Sequence, residues 1–250
     1  MIINMMIIII FSLILFFFIY KYLIKNNLKK KIKIKYYLIN LKRRPDRLNS
    51  FIKNYPLNKS EIIKFEAVDG KQLNKIPKYF IYNPPKPKGE IGCFLSHKLL
   101  WEKISNDKYC DYGVIFEDDA IFSKNFQNNF KKILDSFLNF DTILYFGGRF
   151  TENYKMKNCI KVKENIVKYD YNKEWIGIDC DRTTHSYIIS KKCCDFYLKK
   201  FNECIEDPNY VFPPVDHWMM KMLYSEKKNI FHTYPLLCHS GINSDSDIRR

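Results

Sequence analysis

Three consecutive acidic residues are the clearest chemical feature of this 250-residue sequence. Glu117-Asp118-Asp119 directly follow residues 112–116, an apolar run typical of a buried strand. In an extended backbone Glu117 and Asp119 face one way and Asp118 the other. Two carboxylates at the open end of a strand repel each other unless a cation lies between them, and Mg²⁺ or Mn²⁺ prefers such oxygen ligands. The triplet predicts a divalent metal site, with an acidic turn that caps the next helix as the alternative.

A run of basic residues follows the first predicted strand. Arg43, Arg44 and Arg47 lie just after residues 34–40 and around Pro45, which opens a helix. Because guanidinium groups bind phosphate oxygens through two parallel hydrogen bonds, the run suits a diphosphate. The alternative is the solvated basic start of a helix.

Other polar residues stand beside predicted helices and strands. Asp216 opens a helix after Pro213-Pro214, where it is either a helix cap or a general base. His239 follows the last strand and is either a metal ligand or a structural histidine. His97 lies next to the apolar face of its helix, where it could hold a loop by hydrogen bonds.

Strands alternate with helices along the body of the chain. One apolar face of the second helix carries Ile91, Phe94, Leu95 and Leu99. This alternation predicts an α/β fold with a largely parallel sheet, whose ligands lie beyond the carboxyl ends of the strands. The predicted strands are residues 34–40, 62–67, 112–116, 142–146, 184–190 and 230–238, and the predicted helices are 46–54, 89–105, 125–138, 191–201 and 215–224.

The first 20 residues contain no charged side chain and are long enough to cross a bilayer as one helix. Residues 1–20 therefore predict a transmembrane anchor, residues 21–35 a lysine-rich tether, and residues 36–250 the functional domain. Since the lysines follow the span, the charge rule places this domain in the cytosol, with a lumenal domain as the alternative. The predicted protein is thus membrane-bound through its N-terminal helix and single-pass.

The charge of the chain does not indicate a nucleic-acid binder. The formal net charge is +15, but seven lysines lie in residues 1–35, which leaves +8 on the remainder. No zinc finger or RNA-recognition signature is present. The eight cysteines form no Cys-x-x-Cys pair. We therefore expect no nucleic-acid partner.

The ordered motifs together resemble glycosyltransferase family 25, the group of lipopolysaccharide sugar transferases and collagen galactosyltransferases. The likeness covers about residues 36–248, and any one motif is unspecific alone. The matching stretches are Ile39-Asn40-Leu41, Arg43-Arg44-Pro45-Asp46-Arg47, Ala67-Val68-Asp69-Gly70, Gly89-Glu90-Ile91-Gly92-Cys93, Leu95-Ser96-His97, Trp101, Phe116-Glu117-Asp118-Asp119, Asp141-Thr142-Ile143-Leu144, Thr184-His185-Ser186-Tyr187-Ile188-Ile189-Ser190, Pro214-Val215-Asp216-His217 and Ser246-Asp247-Ile248.

The resemblance implies a GT-A fold, a Rossmann-like α/β domain that binds a UDP-sugar and a metal ion, Mn²⁺ or Mg²⁺. It also implies inversion at the sugar, which requires a carboxylate base opposite the leaving group. Asp216 is our first candidate for this base and Asp181 the second. The candidate metal ligands are Glu117, Asp119 and His239. The candidate nucleotide-sugar contacts are Asn40, Leu41, Arg44, Arg47, Asp69, Asp118, Gly147 and Gly148.

The predicted function is transfer of a hexose, galactose or glucose, from a UDP-sugar to a hydroxyl group. The acceptor is a glycan, a lipid-linked sugar or a collagen-like chain. The alternative is a transferase-like adhesion or sugar-binding module without turnover. The intact acid triplet and the arginines disfavour the module, because sugar binding alone does not need a metal–diphosphate site.

Overall fold

A computed structural model describes residues 12–21, 32–81, 86–148, 159–172 and 184–240 of the chain. The chain divides into two compact units, residues 1–32 and residues 33–250. In the first unit, residues 12–21 form helix α1, with exposed side chains.

The predicted single-pass membrane location is wrong. Within the described ranges, no helix is long and apolar enough to cross a membrane. This finding contradicts the predicted single-pass membrane location, cytosolic or lumenal, and it gives no support to a transmembrane helix at residues 1–20 or to the membrane as a partner. Residues 1–11 of the predicted anchor and 22–31 of the tether lie outside the described residues.

The second unit alternates strands and helices, as the sequence predicts. Its strands are β1 (Ile34–Asn40), β2 (Ile62–Glu66), β3 (Tyr112–Glu117), β4 (Ala120–Phe122), β5 (Ile143–Tyr145), β6 (Gly147–Gly148), β7 (Cys159–Lys163), β8 (Ile166–Tyr169), β9 (Ser186–Ser190), β10 (Ile230–Thr233) and β11 (Cys238–Ser240). Its helices are α2 (Pro45–Asn54), α3 (Lys88–Asn106), α4 (Phe126–Phe137), α5 (Lys191–Glu206) and α6 (Val215–Ser225).

Eight strands form one mixed sheet in the order β2-β1-β3-β9-β5-β10-β8-β7. The α/β class is confirmed, and β1 runs parallel to both β2 and β3, as β10 does to β5. The expectation of a largely parallel sheet holds only in part, since β9 is antiparallel to β3 and β5. Asn40 pairs with Glu66, and Ile39 with Glu117, so the carboxyl ends of β2, β1 and β3 meet at one edge.

A smaller sheet continues from this edge in the order β4-β11-β6. Strand β4 begins immediately after Asp119 and pairs with β11, which also pairs with β6. The single strand predicted at residues 230–238 is therefore two strands, one in each sheet. As a result, the acid triplet joins the end of β3 to the start of β4.

Side-chain alternation along the central strands builds two cores, one on each face of the large sheet. On one face Ile115 belongs to the cluster that contains Trp101 of α3, which packs 4.9 Å from Tyr197 of α5 between ring centroids. On the other face the ring centroid of Phe116 lies 5.9 Å from that of Phe51 of α2. The next two residues continue this alternation, so Glu117 is directed toward α3 and Asp118 toward α2.

The buried face of α3 differs from the predicted one at one position. Ile91, Phe94, Trp101 and Ile104 are buried, whereas Leu99 is 41% exposed. A spacing of three and four residues that starts at Ile91 and passes through Phe94 and Trp101 leaves Leu99 on the flank of the helix.

Candidate active site at the carboxyl ends of β1, β2 and β3

A cavity of about 650 Å³, open to solvent, lies where these three strands end. Its walls come from the segment after β1, the loop at residues 67–71, one side of α3 and residues 117–119. The cavity is therefore at the edge of the sheet where the sequence placed the ligand.

The acid triplet forms one wall and is held by residues from the first strand and helix. Asn40 Nδ2 donates to Asp118 Oδ2 at 2.7 Å. Arg47 of α2 lies between two acids, with Nε 3.2 Å from Asp118 Oδ1 and Nη2 3.4 Å from Asp119 Oδ2. The one guanidinium group thus spans two neighbouring carboxylates.

Burial and neighbouring charges shift the pKa values of the three acids in different directions. Burial, and then the charge of Glu117, raise the pKa of Asp119 to about 7, although Arg47 acts in the opposite direction. Burial also raises the pKa of Asp118, against Arg47 and the Asn40 hydrogen bond. Oδ2 of Asp119 faces Arg47, whereas Oδ1 is buried without a hydrogen-bond partner among the described residues, so Oδ1 is the oxygen that a further donor or a cation would satisfy.

The pKa of Glu117 is shifted in the opposite direction. Burial alone would raise the pKa of Glu117, but hydrogen bonds from His97 and Thr184 outweigh burial and hold the pKa below its ordinary value. Thr184 Oγ1 donates to Glu117 Oε1 at 2.6 Å, and His97 Nε2 lies 3.1 Å from the same oxygen. Glu117 is therefore a carboxylate at neutral pH.

The loop at residues 67–71 rests directly on α3. The backbone N–H of Val68 donates to Ser96 Oγ at 2.9 Å, and Ser96 in turn donates to the carbonyl oxygen of Gly92 at 2.7 Å. A Cβ at Gly92 would lie 2.5 Å from Val68 O, and one at Gly70 would lie 1.7 Å from Lys88 O. Glycine is required at both positions, because the two backbones approach too closely for a side chain.

Arg43 and Asp69 both line the cavity and contact each other. Arg43 Nε donates to Asp69 Oδ2 at 2.7 Å. Asp69 also caps the short 3₁₀ helix at Gly70–Gln72 by accepting from the N–H of Lys71. This pair adds a second guanidinium group to the cavity.

Cys93 completes the α3 wall. Its thiol sulfur, a His97 ring nitrogen and a Glu117 carboxylate oxygen all lie within 4.8 Å of one another, a spacing that could hold a metal ion. Burial, and then the charges of Glu117, Asp216 and Asp119, raise the pKa of the Cys93 thiol. Asp216, half-buried at the start of α6, is therefore within electrostatic range of this wall, and it accepts from the backbone N–H of His217 at 2.8 Å.

The structure brings most of the predicted site residues to the cavity. Asn40 is buried behind the wall, where it holds Asp118. The predicted residues that line the cavity are Leu41, Arg47, Asp69, Glu117, Asp118 and Asp119.

Five other predicted residues of the described part of the chain do not line it, and one of them is Asp216. Arg44 is paired with Asp46 at 2.8 Å. Gly147, Gly148 and the exposed His239 lie in the small sheet, where His239 pairs with Gly148. His239 is not in the Cys93 cluster, and the roles predicted for these residues stay predictions. Asp181, the second candidate base, lies outside the described residues.

The model of glycosyltransferase family 25 (LPS biosynthesis protein) matches residues 33–219. This chain belongs to glycosyltransferase family 25.

Named relatives of this family 25 chain come from animals and a virus. Procollagen galactosyltransferase 2 of Homo sapiens is 29% identical over 157 residues, which are 56% of this chain and 25% of the human protein. A glycosyltransferase 25 family member of Drosophila melanogaster is 30% identical, over 63% of this chain and 28% of its own length. The procollagen lysyl hydroxylase and glycosyltransferase of Acanthamoeba polyphaga mimivirus is 27% identical, over 84% of this chain and 25% of its own length.

The chain thus spans about a quarter of the length of these relatives. Among solved structures, S. aureus TarS 1–349 is similar to the chain with a TM-score of 0.41 and 12% identity, over 84% of this chain and 60% of that one.

Sequence reasoning about this family 25 chain missed several cavity residues. Lys71, Cys93, Ser96 and His97 line the cavity without having been assigned to it, whereas Arg43, which also lines it, belongs to the basic run predicted to bind a diphosphate. A signal for the α3 residues is present in the sequence, because Gly89, Gly92 and Ser96 form a stripe of small residues at helical spacing, and such a stripe indicates that another backbone approaches the helix. The loop-holding role considered for His97 belongs to Ser96 instead.

Proposed function

We propose that the domain at residues 36–250 is a GT-A-type, metal-dependent glycosyltransferase. It transfers a hexose, galactose or glucose, from a UDP-sugar to a hydroxyl group of a glycan, lipid-linked or collagen-like acceptor, with inversion. The observation that carries the proposal is the acid triplet at the wall of the cavity, where Arg47 contacts Asp118 and Asp119 and His97 contacts Glu117. Membership of family 25 supports the choice of reaction.

The acid triplet fits a divalent cation. One buried oxygen of Asp119 has no partner among the described residues, and the pKa of Asp119 is raised; a cation would relieve both, and the pKa of Glu117 is held low. Glu117 and Asp119 would hold the ion, with His239 of the small sheet as a further candidate. The ion would supply positive charge to the diphosphate as the bond to the sugar breaks.

The arginines suit the rest of the diphosphate. Arg47 contacts two carboxylates and lines the cavity, so an incoming phosphate can exchange with a carboxylate on the same guanidinium group. Arg43 provides a second donor in the cavity wall. We assign both side chains to the leaving group, where they stabilise the charge that develops during transfer.

Asp216 is the candidate for the base that accepts the proton of the acceptor hydroxyl. It is half-buried at the first turn of α6, and its charge acts on Cys93 in the cavity wall. Attack by the acceptor oxygen on the anomeric carbon, with loss of UDP from the opposite face, inverts that carbon.

The test is release of UDP from a panel of UDP-sugars by the full chain. We expect one donor to be hydrolysed slowly with Mn²⁺, and this release to be lost with EDTA and in Asp119→Ala. Asp141→Ala is a matched control, because Asp141 is exposed and paired with Lys192 outside the cavity. No release together with no UDP-sugar binding by calorimetry would contradict the proposal and favour a module without turnover.

A further inference from the structure

A chain of buried hydrogen bonds lies behind Glu117, inside the core. Trp101 Nε1 donates to the hydroxyl oxygen of Tyr187 at 3.2 Å, and that hydroxyl lies 2.8 Å from His97 Nδ1. His97 Nε2 lies 3.1 Å from Glu117 Oε1. Trp101, Tyr187 and His97 are each fully buried, so their hydrogen bonds are not shared with solvent. We call these three residues the α3–β9 relay.

The tryptophan sets the direction of the relay. An indole N–H can only donate, so the Tyr187 oxygen accepts from Trp101. The Tyr187 hydrogen then needs an acceptor, and His97 Nδ1 is the one its described contacts provide. The proton of the neutral imidazole is therefore on Nε2, from which it points at Glu117.

We propose that His97 is a positioning residue for Glu117, and that Tyr187 and Trp101 fix its tautomer. Thr184 and His97 both donate to Oε1, so the carboxylate is held by one oxygen, and Oε2 receives neither bond. Glu117 is thereby oriented with one oxygen available to a ligand in the cavity. That this ligand is the metal ion of a sugar donor rests on the proposed function, whereas the direction of the relay does not.

This assignment also decides the role of the Cys93–His97–Glu117 cluster. A metal ion on His97 Nε2 would require the ring proton on Nδ1, which then donates to Tyr187. The Tyr187 hydrogen would lose its acceptor inside the core, where an unsatisfied polar hydrogen is costly. His97 therefore acts as a donor to a metal-binding carboxylate, and not as a ligand itself.

The direct test is the tautomer of His97, measured by ¹⁵N NMR on the full chain with labelled histidine and assigned by comparison with His97→Gln. We expect a neutral ring with the proton on Nε2, and in Tyr187→Phe a shift of the population toward the other tautomer. A proton on Nδ1 in the unmodified chain, or an imidazolium, would overturn the proposal. This measurement requires neither turnover nor a sugar donor.

The functional test compares two substitutions at His97 by Mn²⁺ binding. The amide nitrogen of glutamine is the same number of bonds from Cα as Nε2 and can donate to Glu117, whereas leucine cannot. Loss of such an outer-shell partner weakens metal binding about 10- to 100-fold. We expect this loss in His97→Leu and its recovery, to within a few-fold of the unmodified chain, in His97→Gln.

Tyr197→Phe is the matched control for Tyr187→Phe. Tyr197 is also fully buried, stacks on Trp101 and donates to the carbonyl oxygen of Met219, but it does not contact His97. We expect Tyr187→Phe to weaken Mn²⁺ binding and Tyr197→Phe to leave it unchanged. Equal losses in both variants, or unaltered binding in His97→Leu, would reduce the relay to ordinary core packing.

Co²⁺ serves as the spectroscopic probe of the alternative. A thiolate-to-cobalt charge-transfer band that disappears in Cys93→Ser would place the ion on the Cys93 cluster and refute the proposal. We expect no such band. If the unmodified chain binds no Mn²⁺ at all, the proposed function fails, and the relay is then judged by the tautomer of His97 alone.

Discussion

Replacement of Gly92 by alanine tests whether the contact between α3 and the loop at residues 67–71 shapes the cavity. The new Cβ would lie 2.5 Å from Val68 O and 2.7 Å from Gly70 N, whereas ordinary contacts begin at 3.4 Å. The loop must therefore retreat by about 0.9 Å, the difference between 3.4 and 2.5 Å, because both obstacles are backbone atoms. That shift stretches the Val68–Ser96 hydrogen bond from 2.9 Å to well beyond bonding distance.

Two terms then set the loss of stability. The broken hydrogen bond contributes about 1 kcal/mol, and the forced backbone shift about 1–3 kcal/mol. We expect the free energy of unfolding, measured with urea, to fall by about 2–4 kcal/mol, and the affinity for the UDP-sugar to fall because Asp69 moves with the loop.

The matched control is Gly113→Ala. Its Cβ would meet Ile104 Cδ1 at 2.4 Å, the end of a side chain that can turn away, and Gly113 is not in the cavity wall. We expect a smaller loss of stability and unchanged donor affinity. If the free energy of unfolding of Gly92→Ala lies within about 0.5 kcal/mol of the unmodified chain and the variant binds the donor equally well, the reasoning from backbone approach is refuted.

Three more predictions concern charge and protonation. Burial lowers the pKa of His232 from 6.5 to about 4, so the imidazole of the unfolded chain is protonated at a higher pH than that of the folded chain. The contribution of the neutral His232 to the free energy of unfolding, about 3 kcal/mol, is complete above about pH 6.5 and is lost as the pH falls toward 4. Urea unfolding between about pH 7 and pH 5 should show this decline, and His232→Phe should lessen it; an equal decline in the variant would exclude His232 as its source. Arg47→Met should weaken UDP binding about 10- to 100-fold by calorimetry, because hydrogen bonds to charged groups contribute about 1.5–3 kcal/mol, while Lys192→Met, at an exposed ion pair, should not. Asp216→Asn should abolish sugar transfer while UDP still binds, and substantial retained turnover would exclude Asp216 as the base.

The central part of the site could be predicted from the sequence because strand geometry is local. An apolar strand that runs into three acids places them at a sheet edge, and alternation sends Glu117 and Asp118 to opposite faces. The positions of Asn40 and Leu41 follow from the same argument for β1. These residues depend on the phase of a strand, which a pattern of period two reveals.

The choice among the arginines could not be made in this way. Arg43 and Arg44 lie in the irregular turn between β1 and α2, where no period relates neighbouring side chains. The structure turns Arg43 to Asp69 in the cavity wall and Arg44 to Asp46 on α2. Only the path of the backbone through the turn decides between them.

The hairpin of β7 and β8 was also missed, although its signal is present. Apolar and basic side chains alternate in residues 160–163, and Asn165 in the following turn has φ 63°. Asparagine is among the few residues other than glycine that adopt this left-handed conformation readily. Alternation followed by asparagine therefore indicates a hairpin here.

The small sheet has a consequence for the thermodynamics of ligand binding. Glu117 is the last residue of β3 and Ala120 the first of β4, so only Asp118 and Asp119 lie between two strands that belong to different sheets. Ordering the backbone of a loose residue costs about 1–2 kcal/mol in conformational entropy. Since both residues are anchored at each end before any ligand arrives, this entropy is already lost when the domain folds. A ligand of the triplet therefore binds to carboxylates that are ordered in advance, and more of its interaction energy remains as affinity.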